Sequence, residues 1–176
     1  MSDSEAKPSG HARREAESRH QNAGRDAPRS TYARDGGPPE SAFSIVQRVR
    51  FGDLDAMQHM NNVEFLRFFE TARIDYMMSV LPEHSPGSRQ QFGFIFAECH
   101  IAYRSPAHFN EDIRTWVWPT ELRRSSLRLE FAMTAESDRR LVAEGYGVLV
   151  GYDYALGESR PLPEELRQRL EPELVG

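Results

Sequence analysis

The spacing of apolar residues predicts one strand, a long helix and then four more strands. Apolar and polar residues alternate from Phe43 to Gly52, which is typical of a half-buried strand. From Asn62 the apolar residues recur every three or four positions, which predicts an amphipathic helix. The helix should stop near Leu81, because a residue that precedes proline, here Pro82, disfavours the helical conformation. Its apolar positions are Phe65, Leu66, Phe68, Phe69, Ala72, Ile74, Tyr76 and Val80.

The four later strands follow one another after a turn-rich loop. Residues 92–103 are apolar on both faces, as in a central strand, and residues 112–118 form a second run that Pro119 should end. Residues 125–136 alternate cleanly, and a tight turn joins them to residues 141–154 in a hairpin. One face of that last strand carries small residues, which would let the helix or a ligand approach closely. They are Ala143, Gly145, Gly147 and Gly151.

The order of these elements predicts an α+β fold. One helix of about 18 residues, about 27 Å long, can be covered on one side by a curved antiparallel sheet of five strands. Residues 163–170 begin with proline, which is typical of a short terminal helix.

The first 42 residues differ from the rest of the chain. They contain no Val, Ile, Leu, Phe, Trp or Cys. Such a segment cannot bury enough apolar surface to offset its chain entropy, so we predict a disordered tail over residues 1–42 and one domain over residues 43–176. The tail lacks the apolar core of a secretory signal and is too acidic for a transit peptide.

Composition excludes several classes of protein. The mean hydropathy of −0.65 and the absence of a long apolar run exclude a membrane-spanning protein. The net charge of −5 argues against binding to nucleic acid through phosphates. The single cysteine, Cys99, excludes an internal disulfide and fits a cytoplasmic location. It alternates with apolar neighbours, which predicts a buried core thiol and not a nucleophile.

The candidate chemistry lies in the loop between the first strand and the helix. Asp53 and Asp55 are followed by His59 and by the amide pair Asn61 and Asn62. The first amides of a helix have no partner within it and attract anions. They would keep a nearby aspartate ionised and stabilise a developing oxyanion. The pattern therefore favours attack on a carbonyl group.

Structural explanations for these polar residues stay open beside the functional ones. Asn61 is a natural N-cap, and Glu64 at the third helical position would complete a capping box. Asp53 could brace the loop through backbone amides, which we favour for this residue, and His59 could be a hydrogen-bonded loop former. Glu70 lies three residues from an arginine on each side, so a surface ion pair would explain it.

The loop and helix also resemble a known family. The pattern D-x-D-x-x-x-H-M-N-N from Asp53 to Asn62, followed by E-T-A-R from Glu70, is similar to the signature of 4-hydroxybenzoyl-CoA thioesterase-like enzymes. These are hot-dog-fold acyl-CoA thioesterases. The similarity extends more loosely over residues 43–167, and Gln58 stands where the family often has glycine. The weaker points of similarity are Tyr103, Arg104, Ser105, Pro106 and Asp112.

The resemblance implies a fold, an assembly and a reaction. It implies a five-stranded sheet wrapped around the helix, and subunits that pair into a homodimer or homotetramer with the active site at the interface. It implies hydrolysis of an acyl-CoA thioester without a metal or organic cofactor. Asp55 would be the nucleophile or general base, the N–H of Asn62 would bind the oxyanion, and His59 and Glu70 are further catalytic candidates. The candidates for the phosphates of CoA, which an ordinary solvated turn would also explain, are Arg123, Arg124, Ser125 and Ser126.

Two other functions stay open. A hot-dog dehydratase or hydratase would use His59 with Glu70 or Asp55 on a 3-hydroxyacyl or enoyl thioester. A non-catalytic acyl-thioester binding protein would not need the carboxylate, so Asp55 argues against it. A metal site built from Asp53, Asp55, His59 and Glu70 has no recognised ligand spacing to support it. The thiol of the substrate could belong to CoA or to an acyl carrier protein.

Overall fold

The computed structural model describes residues 36–84 and 92–174, in which one long helix lies against an antiparallel sheet. The sheet order is β1-β3-β4-β5-β2, and a two-residue β6 pairs with β5. The predicted α+β architecture is confirmed, with six strands instead of five. The elements are β1 (Phe43–Arg48), α1 (Asn62–Val80), β2 (Phe94–Tyr103), β3 (Asp112–Leu122), β4 (Ser126–Ala135), β5 (Leu141–Asp153), β6 (Glu158–Ser159) and α2 (Glu164–Leu170).

The core lies between α1 and the inner face of the sheet. Phe69 of α1 stacks on Phe131 of β4 with ring centroids 4.2 Å apart. Gly147 of β5 leaves room for this contact, because a Cβ there would lie 2.9 Å from Cε1 of Phe69. The predicted close approach of the helix is therefore confirmed at this glycine. The buried residues of α1 are Phe65, Phe68, Phe69, Ala72, Tyr76 and Val80.

The start of α1 is capped by one of the two predicted bonds. Oδ1 of Asn61 accepts the N–H of Val63 at 3.0 Å, as expected for an N-cap. The capping box was a wrong prediction, because the carboxylate of Glu64 pairs with Arg67 at 3.0 Å instead. The N–H of Asn61 that Glu64 would have bound already donates to the carbonyl of Asp53 at 2.8 Å.

Strand β2 lies at the edge of the sheet and not at its centre, which corrects two predictions. Cys99, predicted to be buried, is exposed together with its neighbours Ala97 and Glu98. A run of apolar residues predicts a buried strand, but it does not predict which strands lie beside it in the sheet. Neighbouring atoms still crowd the thiol on the sheet side, and this partial desolvation raises the pKa of Cys99.

Strand β3 continues past the proline that was predicted to end it. A bulge between Pro119 and Glu121 interrupts the pairing with β4, and the strand then runs to Leu122. A bulge removes the need for a regular ladder bond at that point, so proline is tolerated there.

The tail predicted over residues 1–42 falls on residues 1–35, which lie outside the described residues, and on residues 36–42, which are described and precede β1. Strand β1 begins at Phe43, the first residue of the predicted domain. The terminal helix α2 forms, with Pro163 at its N-cap. None of the helices in the described part of the chain is long and apolar enough to cross a membrane.

Candidate active site

Short backbone bonds close the loop between β1 and α1 onto itself. The N–H of Asp55 donates to the carbonyl of His59 at 2.8 Å, and the N–H of Gln58 donates to the carbonyl of Asp55 at 3.1 Å. Leu54 and Met60 form an isolated bridge just outside this turn. Asp55 therefore stands at the base of a compact turn whose backbone is fixed on both sides.

Gln58 has an unusual backbone conformation within this loop. Its φ angle is 64°, in the left-handed region that glycine adopts most easily. A residue with a Cβ adopts this conformation at a cost of about 1 kcal/mol. Gln58 therefore stands at a position whose backbone conformation would suit glycine.

Both carboxylates of the loop accept backbone hydrogen bonds. Oδ2 of Asp53 accepts the N–H of Arg50 at 2.7 Å, the bracing role that the sequence favoured. Oδ1 of Asp55 accepts the N–H of Met57 at 2.8 Å and that of His59 at 3.2 Å. No described residue donates a hydrogen bond to Oδ2 of Asp55. One oxygen of Asp55 thus fixes the orientation of the carboxylate, and the other is available to a substrate.

One backbone donor in the first turn of α1 has no acceptor among the described residues. Asn61 accepts the N–H of Val63 through its side chain and that of Glu64 through its carbonyl, at 3.0 and 2.9 Å. The N–H of Asn62 finds no acceptor among the described residues. The carbonyl of Asn62 accepts the hydroxyl of Tyr103 at 3.1 Å. An open N–H at the positive end of a helix is a site for an anion.

The segment between β2 and β3 lies against residues 49–61, the loop that carries the sequence motif and that we call the motif loop. The sequence did not predict this contact. Six residue pairs join residues 103–111 to the loop between strand β1 and helix α1. The contacting pairs are Tyr103 with Asn62, Ala107 with Met60, His108 with His59, Phe109 with Phe51, and both Asn110 and Glu111 with Val49. The weak Y-R-S-P similarity marked this segment, but no periodicity connects two loops so far apart in the chain.

The structure does not bring His59 and Glu70 together within one chain. The ring of His59 lies edge to face with that of His108, with centroids 5.2 Å apart. Glu70 is exposed, 3.8 Å from the guanidinium of Arg73, and eight residues beyond Asn62 it lies about 12 Å along the helix axis. In the described part of the chain, no three His, Cys, Asp or Glu side chains are grouped as a metal site would require.

The candidates for the phosphates of CoA lie far from the motif loop in the same chain. Asp112, at the start of β3, pairs with the end of β1, and the eleven residues of β3 lead away from the loop. The turn at residues 123–126 therefore lies at the opposite end of β3 from Asp112, up to about 36 Å away along the strand. Arg123 also forms an ion pair with Glu121 at 2.6 Å. One chain alone does not bring this turn to Asp55.

Residues 49–170 match the model of the Thioesterase-like superfamily. The chain belongs to this superfamily. The predicted thioester hydrolase with a hot-dog fold is therefore confirmed. Among thioesterases of known sequence, the chain is similar to the long-chain acyl-CoA thioesterase FadM of Escherichia coli K12. The two are 29% identical over 128 residues, which is 70% of this chain and 93% of FadM.

Two solved thioesterase structures have the same fold. A thioesterase from Thermus thermophilus, complexed with coenzyme A and Zn, is 35% identical with a TM-score of 0.62. The match covers 73% of this chain and 91% of that one. A thioesterase superfamily protein from Jannaschia sp. CCS1 is 26% identical with a TM-score of 0.70, over 84% of this chain and 94% of that one.

Proposed function

We propose that this thioesterase hydrolyses acyl-CoA to a free carboxylic acid and CoA, with Asp55 as nucleophile or general base. The observation that carries the proposal is that one loop holds a fixed carboxylate and leads into a helix whose first N–H is open. Oδ1 of Asp55 is held by two backbone amides, Oδ2 accepts no hydrogen bond from the described residues, and the N–H of Asn62 is unused among them. The names of FadM, a long-chain acyl-CoA thioesterase, and of the Thermus complex with coenzyme A support the substrate class.

The proposed reaction consumes one water and releases one thiol. The thioester oxygen accepts the N–H of Asn62, and the helix end stabilises the negative charge that develops on it. Oδ2 of Asp55 either attacks the carbonyl carbon or removes a proton from an attacking water. In the first route, attack by Asp55 expels the CoA thiolate and leaves a mixed anhydride, which water then hydrolyses. In the second route, the attacking water itself expels the thiolate and gives the carboxylic acid. Neither route requires a metal or an organic cofactor.

His59 and Glu70 have different places in this proposal. The backbone N–H of His59 helps to orient Asp55, so we assign His59 a positioning role within the loop. Glu70 lies too far along α1 to act with Asp55 of its own chain, and we propose that it acts beside the site of a second subunit.

We also propose a homodimer, able to pair again into a tetramer. One edge of β2 pairs with no strand in the described part of the chain, so its backbone groups can pair with a second copy. A two-fold axis at this edge reverses the strand direction, so the partner's residues 123–126 would come to the end of the sheet that holds Asp55. CoA phosphates could then be bound across the interface. Sedimentation at micromolar concentration should give a dimer or tetramer, and a stable, active monomer would contradict this.

A panel of substrates tests the function itself. The full chain is incubated with acetyl-, butanoyl-, lauroyl-, palmitoyl-, benzoyl-, enoyl- and 3-hydroxyacyl-CoA, and free thiol is followed by its reaction with a disulfide dye. We expect thiol and carboxylic acid in equal amounts from at least one substrate. Interconversion of enoyl and 3-hydroxyacyl groups without thiol would mean a hydratase, and binding without any product would mean a carrier. Thioesters of acyl carrier protein are assayed in the same panel. A cytoplasmic location is a separate proposal.

A further inference from the structure

Large apolar side chains are exposed around the two segments that form the candidate site. Phe51 is 75% exposed, Met57 74% and Phe109 57%. The rings of Phe51 and Phe109 touch edge to face, with centroids 6.2 Å apart. We call these three residues the apolar rim. Two of them belong to the motif loop, and the third belongs to the segment that lies against it.

The exposure is concentrated at this place. In the described part of the chain, six large hydrophobic residues are at least 55% exposed. Three form the apolar rim, and a fourth, Val63, is in the first turn of α1 next to Asn62. The other two, Tyr154 and Leu156, follow β5. A group of exposed apolar side chains marks a site that binds a ligand or a partner.

Two residues of the rim are close in the chain to residues of the candidate site. The N–H of Met57 donates to Oδ1 of Asp55 at 2.8 Å, so its side chain leaves the same turn that holds the carboxylate. Phe109 follows His108, whose ring packs on that of His59. The rim and the candidate carboxylate are therefore carried by the same two segments of the chain.

The charges near the rim indicate which part of an acyl-CoA it could bind, the acyl chain or the nucleotide. The loop that carries Phe51 and Met57 also carries the carboxylates of Asp53 and Asp55, beside one arginine, Arg50. Phosphates are repelled by such carboxylates, whereas a hydrocarbon chain is not. The rim therefore suits the acyl chain of the substrate and not its nucleotide.

We propose that Phe51, Met57 and Phe109 form the acyl-chain subsite of this thioesterase and set its preference for medium and long aliphatic chains. The inference rests on the proposed function and assigns the residues that determine chain length. Each methylene that leaves water for an apolar surface gives a gain of up to about fourfold. The rim holds the chain on one side only, so we expect about twofold per methylene until the rim is covered.

The test compares chain-length profiles of the full chain and its variants. The variants are Phe51→Ser, Phe109→Ser and the double variant, with Leu156→Ser as a control that removes an equally exposed apolar residue after β5. The readout is kcat/KM for lauroyl-CoA divided by kcat/KM for butanoyl-CoA. We expect this ratio to fall at least tenfold in the double variant, mainly through KM, and to stay within twofold in the control.

The other outcomes are separable. An unchanged ratio, or an equal loss for both substrates, overturns the subsite while thiol release by the parent still supports the proposed function. A change of sedimentation coefficient in the variants also overturns it, because the rim would then be a subunit contact. If the parent releases no thiol, the proposed function fails, and calorimetry with lauric acid decides the subsite. Weaker binding by the double variant than by the control supports it, and equal binding overturns it.

Discussion

The hydroxyl of Tyr103 donates a hydrogen bond to the backbone carbonyl of Asn62, with the two oxygens 3.1 Å apart. The ring of Tyr103 also packs edge to face on Phe65, with centroids 5.3 Å apart. Desolvation by burial raises the pKa of Tyr103, so the hydroxyl is a donor at neutral pH. The last residue of β2 therefore holds the first residue of α1, next to the N–H that we assign to the oxyanion.

Replacing Tyr103 by Phe should reduce catalysis more than it reduces binding. The change keeps the ring and removes one hydrogen bond, which is worth about 1 kcal/mol, or about fivefold in kcat. The matched control is Tyr154→Phe, because that hydroxyl donates to the carbonyl of Phe94 at the opposite end of β2. Steady-state kinetics should give a lower kcat with a nearly constant KM for Tyr103→Phe only. Equal kcat values for the two variants would contradict the positioning role.

Substitutions at Gln58 should report on the left-handed backbone of the loop. Glycine adopts a φ of 64° without strain, so Gln58→Gly should leave stability unchanged or raise it by up to about 1 kcal/mol. Valine is β-branched and strained there, so Gln58→Val should lose about 1 to 2 kcal/mol. Urea unfolding measures both. A valine variant as stable as the parent would mean that the loop has a different conformation.

The pair of Arg114 and Glu136 should make stability depend on pH. Nε and Nη2 of Arg114 each lie 2.8 Å from an oxygen of Glu136, and these hydrogen bonds lower the pKa of Glu136 below its usual 4.5. A carboxyl with a lowered pKa stabilises the fold above pH 4.5, and this contribution is lost as the pH falls through the lowered value. The melting temperature should therefore drop in acid, and less steeply in Glu136→Gln. The control is Glu158→Gln in β6, which should follow the parent.

Local patterns predicted the elements, and they failed where the outcome depended on distant parts of the chain. The helix from Asn62 and strand β4 follow from spacing alone. The edge position of β2, which exposes Cys99, depends on strand order, and strand order is set by contacts across the whole chain. The capping box failed because the carbonyl of Asp53 accepts the N–H of Asn61, a competition that spacing does not reveal.

The candidate site was predicted in the same uneven way. The motif loop and the start of α1 were found because their residues are consecutive. Residues 103–111 were missed because their contacts with the loop cross about forty residues or more and follow no period. The turn at residues 123–126 was chosen for its charge, and only the pairing of β1 with β3 reveals that it lies at the far end of the sheet.

The role of Asp55 is tested by replacing it with Asn and comparing it with Asp53→Asn in the same loop. The amide oxygen of Asn can still accept the N–H groups of Met57 and His59, so the loop is kept and only the negative charge is lost. Asp53→Asn should mainly weaken the bond to Arg50, with a loss of about 1 kcal/mol in stability.

The decisive measurement is the rate of thiol release from the best acyl-CoA substrate by folded Asp55→Asn protein. We predict a loss of about a hundredfold to ten-thousandfold in kcat, with substrate binding retained, because the variant lacks the base or nucleophile. Asp53→Asn should stay within a few-fold of the parent. Turnover by Asp55→Asn within a few-fold of the parent, with Asp53→Asn folded and inactive, would contradict the assignment of the catalytic carboxylate.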